Sequence, residues 1–402
     1  MEEADARLAE ETVAVRTRVG RSRSHRPLNA PLYQTSQWEA ESLGSLADLF
    51  DRDPDRGFYT RFGHPTLRLA EEKLAALEAG EDALVFGSGM GAITTSLLAV
   101  LESGDHVVAH RAIFGQTIQF LEHLRDAFEL AVTFVDATDP SAVEDAIRPA
   151  TRLLYLETPS NPILDVLDVE LLSGLADRHG MTVFVDSTFA GPLVQRPLEL
   201  GADLSLQSAS KSLAGHADLL AGSAAGSREL IARIRQMRTL AGPVLDPHAC
   251  WLLLRGIKTL ALRVRAQSGT ALGLARLLEA SPVVDLVRYP HLESHPGYSV
   301  ARRQMESGGT MLSFSLEGGI EGTRRFVEAL EWIPIASSLG SVHTSVEVPE
   351  ELDFSADELG DRSSSYDMPP GLIRLSVGAE ALTDLEREMR RGLSAAAGTA
   401  SA

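Results

Sequence analysis

Between residues 64 and about 225, short apolar runs alternate with amphipathic stretches. Pro65–Glu78 sets Leu67, Leu69, Leu74 and Leu77 among charges, the spacing of a helix with one buried face. The runs Ala83–Phe86, His106–Ala109, Val132–Val135, Leu153–Leu156, Thr182–Val185 and Leu204–Leu206 are short and continuous. That pattern belongs to strands buried on both faces. Helical stretches such as Gln116–Phe128 and Asp168–His179 separate most of them. Strands divided by helices predict an α/β fold with a mainly parallel sheet, and ligands of such sheets sit at the carboxyl ends of the strands. From about 256 the spacing changes. A long helical region, Trp251–Leu278, leads into a strand at Met311–Leu316, a helix at Gly322–Leu330 and a strand at Leu372–Ser376, which predict a smaller α+β domain. Residues 1–60 hold no sustained period and include the turn-rich Asp51-Arg-Asp-Pro-Asp-Arg-Gly57, so they must lie on the body of the protein or on a neighbouring subunit. The expected division is an arm (1–63), a large domain (64–255), a smaller C-terminal domain (256–392) and a small-residue tail (393–402).

Composition narrows the classes of function. Net charge is −19, from 37 basic and 56 acidic residues, which argues against nucleic acid or anionic lipid as a partner. The one cysteine, Cys250, allows no intrachain disulfide. The first twenty residues are charged without an apolar centre, and no run is long enough to span a bilayer. The expected compartment is the cytoplasm.

Three of the expected strand ends carry polar groups. Phe86-Gly-Ser88-Gly89-Met90-Gly91 follows one strand and opens a helix expected at Ala92–Leu101. Glycines let an anion approach the backbone, and a helix N-terminus offers unpaired N–H groups. The loop suits a phosphate and equally suits a plain tight turn. A dinucleotide loop ranks third, because Ala92 fills the last glycine position and no acidic residue ends His106–Ala109. Asp186 ends another strand, where it either caps a helix or pairs with a protonated ring nitrogen. Lys211 follows a third strand in Gln207-Ser-Ala-Ser-Lys-Ser212, away from the charged faces most lysines occupy. A lysine in a partly desolvated site forms imines with carbonyl compounds, and Ser208 and Ser210 can donate to the same phosphate. Phosphate loop, aspartate and lysine, in that order, are what a pyridoxal phosphate (PLP) enzyme requires. Lys211 would hold the cofactor as a Schiff base, and Asp186 would keep its ring protonated.

Eight segments then occur in order: Tyr59-Thr-Arg61-Phe-Gly-His-Pro-Thr66, Ser88-Gly-Met90, Glu157-Thr-Pro-Ser-Asn-Pro162, Asp186-Ser-Thr188, Ser208-Ala-Ser-Lys211, Arg255-Gly-Ile-Lys-Thr-Leu260, Ser338-Leu-Gly340 and Arg374-Leu-Ser-Val-Gly378. In these, from about Pro31 to Glu388, the chain resembles the Cys/Met-metabolism PLP enzymes. That group includes cystathionine γ-synthase, cystathionine lyases, methionine γ-lyase and the O-acylhomoserine sulfhydrylases. The resemblance implies a PLP-dependent transferase fold of the aspartate-aminotransferase type (type I). It implies that Gly89, Met90, Ser208 and Ser210 form the phosphate cup, with Ser88 and Thr188 also at the cofactor. Asn161 would lie near the cofactor's phenolic oxygen. Arg374 would take the carboxylate of a small amino-acid substrate, with Ser338 beside it. Tyr59 and Arg61 would reach a neighbouring subunit's phosphate, in a dimer or a tetramer of two catalytic dimers.

Departures from the family pattern shape the expected reaction. Members usually carry tyrosine where this chain has Phe114, before Gly115. That tyrosine stacks on the pyridine ring and moves protons; Phe114 keeps the stacking and has no titratable group. Ser337 stands where cystathionine-handling members commonly have glutamate. Gln116, Arg238 and Thr239 replace the cysteine, lysine and aspartate that line methionine γ-lyase sites, and Ser341-Val-His343-Thr-Ser-Val346 replaces a Gly-Val-Glu-Ser-Leu run. The reading is γ-elimination or γ-replacement on a homoserine- or homocysteine-type amino acid, with an altered leaving-group pocket and no metal. Two alternatives stay open: a β-eliminating carbon–sulfur lyase on cystine- or cystathionine-like substrates, and a PLP-binding regulatory protein with vestigial catalysis.

Overall fold

A computed structural model describes residues 9–16, 27–45, 58–351 and 368–398. The chain divides into two compact units, one from 1–100 and 206–262, the other from 101–205 and 263–402. The boundary at 205 falls inside a strand, β6 (Leu204–Gln207).

In the first unit β1 (Asp82–Phe86), β7 (Gly222–Gly226) and the end of β6 lie in the order β1-β7-β6. β1 and β7 are antiparallel, with Asp82 opposite Gly226 and Phe86 opposite Gly222. The helix Pro65–Glu78 forms where its spacing predicts, buries Leu67, Leu74 and Leu77, and starts on a His64 cap whose Nδ1 accepts the Leu67 N–H. β7 carries no strand signal, since its sequence is Gly-Ser-Ala-Ala-Gly. Packing explains the composition: a Cβ at Gly222 would stand 2.1 Å from the Ser88 carbonyl oxygen. A side chain there is excluded by the loop that follows β1.

In the second unit β2 (His106–His110), β3 (Ala131–Val135), β4 (Thr151–Glu157) and β5 (Thr182–Asp186) run parallel in the order β5-β4-β2-β3. β4 and β5 end together, Glu157 opposite Asp186. The same unit holds a four-stranded antiparallel sheet of β8 (Val284–Arg288), β9 (Met311–Leu316), β10 (Ser345–Glu347) and β11 (Ile373–Ser376), ordered β10-β11-β9-β8. Its inner face packs Phe314 against Phe326, centroids 5.3 Å apart, with Leu274, Ile373, Leu375 and Met389 around them. The helix Leu382–Ala396 closes this core and carries Leu393 into it. The expected α/β fold with a mainly parallel sheet is observed, and the smaller α+β part is built on an antiparallel sheet. The long helical region expected at Trp251–Leu278 consists of two helices, Pro247–Ile257 and Leu260–Glu279. Among the described residues no helix is long and apolar enough to cross a membrane.

Candidate active site

In the first unit the candidate residues lie on the loop after β1 and the turn after β6. The helix expected from Ala92 starts three residues earlier and runs Gly89–Val100, so Gly89 and Met90 are its first turn. Glycine at 89 is required by contact, because a Cβ there would stand 2.9 Å from the Ser208 Cβ and 3.0 Å from its hydroxyl. Ser88 Oγ accepts the Gly91 N–H at 2.9 Å and fixes the turn. A helix N-terminus and the Ser208 hydroxyl thus meet at one place, the donor set a phosphate needs. Lys211 lies half-buried in the next turn, its N–H donating to Ser208 O at 3.1 Å. Ser210 holds that turn against the chain entering β7: its hydroxyl accepts the Ala221 N–H at 2.8 Å and donates to Ala221 O at 3.1 Å. To donate to a phosphate it would have to turn from that carbonyl. Tyr59 and Arg61 are exposed, and the Arg61 guanidinium lies 5.0 Å from the Phe62 ring and donates to Thr239 O.

In the second unit the candidate residues lie at the ends of β4 and β5 and on β11. Asp186 is buried, and both the N–H and the hydroxyl of Thr188 donate to its Oδ1, at 3.0 and 2.5 Å. Burial lifts its pKa to about 6, against the pull of those two bonds. A carboxyl whose pKa burial raises suits a protonated ring nitrogen. Glu157, opposite it, is pushed well above the carboxylate range by burial and then by the Asp186 charge. Its Oε2 accepts the Phe114 N–H at 2.7 Å and its Oε1 the Asn161 N–H at 3.2 Å. Phe114 itself caps the helix Gly115–Phe128 without a side-chain hydrogen bond, and it is 39% exposed.

Arg374, on β11, is buried and held from three sides. Its Nη2 pairs with Glu347 at 2.6 Å and donates to Ser338 O at 3.0 Å, while Nη1 donates to Asn161 Oδ1 at 2.8 Å. Glu347 faces it across the β10–β11 register. Ser338 has φ of 81°, a left-handed backbone unusual for a non-glycine residue, which the surrounding contacts hold in place. The result is a guanidinium held by three partners, whose planar fork suits a carboxylate.

Sequence reasoning passed over two of these groups. Glu157 was legible by the rule that found Asp186, a polar residue closing an apolar strand. Glu347 gave no signal, since β10 is three residues long. Arg238, placed by resemblance among residues replacing a substrate-pocket set, points into the core of the first unit: it is fully buried, its Nη1 donating to Glu71 Oε1 at 2.7 Å and Val85 O at 2.8 Å. Its helix turns Ile231, Ile234 and Arg238 to one side, and Glu71 supplies the counter-charge. His343 is exposed beside Ser341.

The family model for the Cys/Met metabolism PLP-dependent enzymes matches residues 11–394. The chain belongs to the Cys/Met metabolism PLP-dependent enzyme family. Among relatives in this family, L-methionine gamma-lyase of Pseudomonas putida is 42% identical over 369 residues, covering 91% of this chain and 92% of that one. The chloroplastic cystathionine gamma-synthase 1 of Nicotiana tabacum is 37% identical over 377 residues, 94% of this chain and 70% of that one. A crystal structure of cystathionine gamma synthase from Xanthomonas oryzae pv. oryzae, in complex with aminoacrylate and cysteine, superposes with a TM-score of 0.91 at 34% identity, covering 98% and 99% of the two chains. This member of the Cys/Met metabolism family is therefore a PLP-dependent enzyme of the γ-elimination and γ-replacement type, and the residues described fit its cofactor.

Proposed function

We propose that the enzyme acts on an activated homoserine-type amino acid, such as an O-acylhomoserine, and does not depend on protonating the leaving group. Phe114 carries this reading: a residue placed to stack on a ring has no acid to offer. PLP, when bound, supplies an electron sink for charge developed on the substrate. Lys211 Nζ holds the cofactor and afterwards moves the proton at the substrate Cα and Cβ. Asp186 keeps the ring nitrogen protonated. Ser88, Gly89, Met90, Ser208 and Ser210 surround the phosphate, and Thr188 orients Asp186. Asn161 faces the phenolic oxygen, and Arg374 with Ser338 takes the α-carboxylate. Tyr59 and Arg61 complete a neighbouring subunit's phosphate site in a dimer, or in a tetramer of two dimers, in the cytoplasm.

Wild-type protein is expected to turn over O-acylhomoserine well and methionine and cystathionine poorly, in assays of 2-oxo acid, ammonia and thiol. Phe114→Tyr restores a general acid, an effect typically worth about 10²–10⁴-fold. It is therefore expected to raise thioether cleavage far more than turnover of the activated ester. Equal wild-type rates on methionine and an O-acylhomoserine would refute this reading and leave the cofactor assignment standing.

Arg374→Ala is expected to raise KM for the amino acid by about 30-fold or more, since truncating one member of a buried charge pair costs about 2–5 kcal/mol. Arg374→Lys keeps the charge without the fork and falls between the two. Steady-state kinetics with KM unchanged in Arg374→Ala would remove the carboxylate assignment.

A further inference from the structure

We propose that Glu157 is a positioning residue that ties the ring-stacking residue to the group that binds the substrate carboxylate. This rests on the roles proposed above for Phe114, Asn161 and Arg374. Glu157 ends β4, and its two oxygens serve two different segments of chain. Oε2 takes the backbone N–H of Phe114, 43 residues away, and Oε1 takes the N–H of Asn161, four residues on. The first bond serves the entry to the helix Gly115–Phe128, whose cap residue has no side-chain acceptor of its own. The second bond fixes Asn161, whose Oδ1 accepts Arg374 Nη1 at 2.8 Å. One hydrogen-bonded chain thus runs from Phe114 through Glu157 and Asn161 to Arg374. Arg374 in turn holds Glu347 and the Ser338 carbonyl.

A side chain with two acceptor oxygens at this reach serves both N–H groups, with or without the proton that burial favours. An amide offers one acceptor and turns its own N–H₂ toward the other donor. Aspartate, a methylene shorter, sets the same two oxygens back from both donors. The remaining charged groups that face Glu157 are Asp186, opposite it on β5, and the Arg374 guanidinium.

Hydrogen exchange on the cofactor-free protein reads this directly, by mass spectrometry of peptides covering Phe114 and Asn161. Glu157→Gln is expected to speed exchange about tenfold at one or both amides, the loss that follows leaving a donor without its acceptor, with the rest of β4 and β5 as protected as in wild type. In the PLP-loaded protein the same variant raises KM for the amino acid about tenfold, with a smaller change in kcat. Asn161→Ala, which keeps the backbone N–H, raises KM as well but leaves Phe114 exchange at the wild-type rate. Wild-type exchange at both amides in Glu157→Gln overturns the proposal. So does loss of protection throughout β4 and β5, which marks a merely structural glutamate, and so does an unchanged KM. A wild-type protein that takes no PLP on Lys211 instead overturns the functional reading, and the exchange experiment does not depend on that outcome.

Discussion

Asp186→Asn is expected to lower kcat/KM by about 10²–10³-fold, the effect of removing one preorganised electrostatic partner from a reacting group. The amide still accepts from Thr188, so the fold around it should hold, but it cannot keep a ring nitrogen protonated. The same substitution is expected to stabilise the cofactor-free protein. Burial raises the Asp186 pKa from the ordinary 3.8 to about 6, so the folded state binds its proton more tightly than the unfolded chain does. Stability is then undiminished below about pH 4 and falls as pH rises through 6, where a buried carboxylate must ionise. The cost at pH 8 is on the order of 2–3 kcal/mol. The amide of the variant does not ionise, so urea denaturation should find the cofactor-free variant more stable than wild type at pH 8 and equal to it near pH 4. Cofactor binding would supply a cation beside Asp186 and reverse the order. A variant less stable than wild type at pH 8 without cofactor would mean that Asp186 already has its charge partner within the chain.

The candidate strand ends at Asp186 and before Lys211 were legible because each is an apolar run stopped by a polar residue. What escaped notice was set by close contact and by pairing. β7 reads as a loop because Gly222 must clear the Ser88 carbonyl, and this removes the branched residues that mark a strand. Gly89 reads as a turn residue for a similar reason, although the helix has already begun there. Arg238 stands on the same helix face as Ile231 and Ile234, and a lone charge in an apolar stripe gives no notice of a distant partner such as Glu71. Glu347 belongs to a strand of three residues, too short for any alternation to register. Its role follows only from the register that sets it opposite Arg374. Phe114 was legible as a departure from the family pattern. That its backbone N–H is held by Glu157 required the fold.

The central claim is that Lys211 carries the cofactor, and borohydride reduction of the purified protein followed by peptide mapping tests it most directly. Lys211 sits one turn past Ser208, which lies against the N-terminus of the helix Gly89–Val100, so a phosphate held there leaves the lysine next in line along the chain. Removing a covalent catalytic group typically costs at least about 10⁴-fold, and Lys211→Ala is expected to lose activity on that scale together with the yellow colour of the bound cofactor. The account predicts a single labelled peptide with the pyridoxyl group on Lys211, and none in Lys211→Ala. Label on another lysine, or the same imine absorbance in Lys211→Ala, would contradict it.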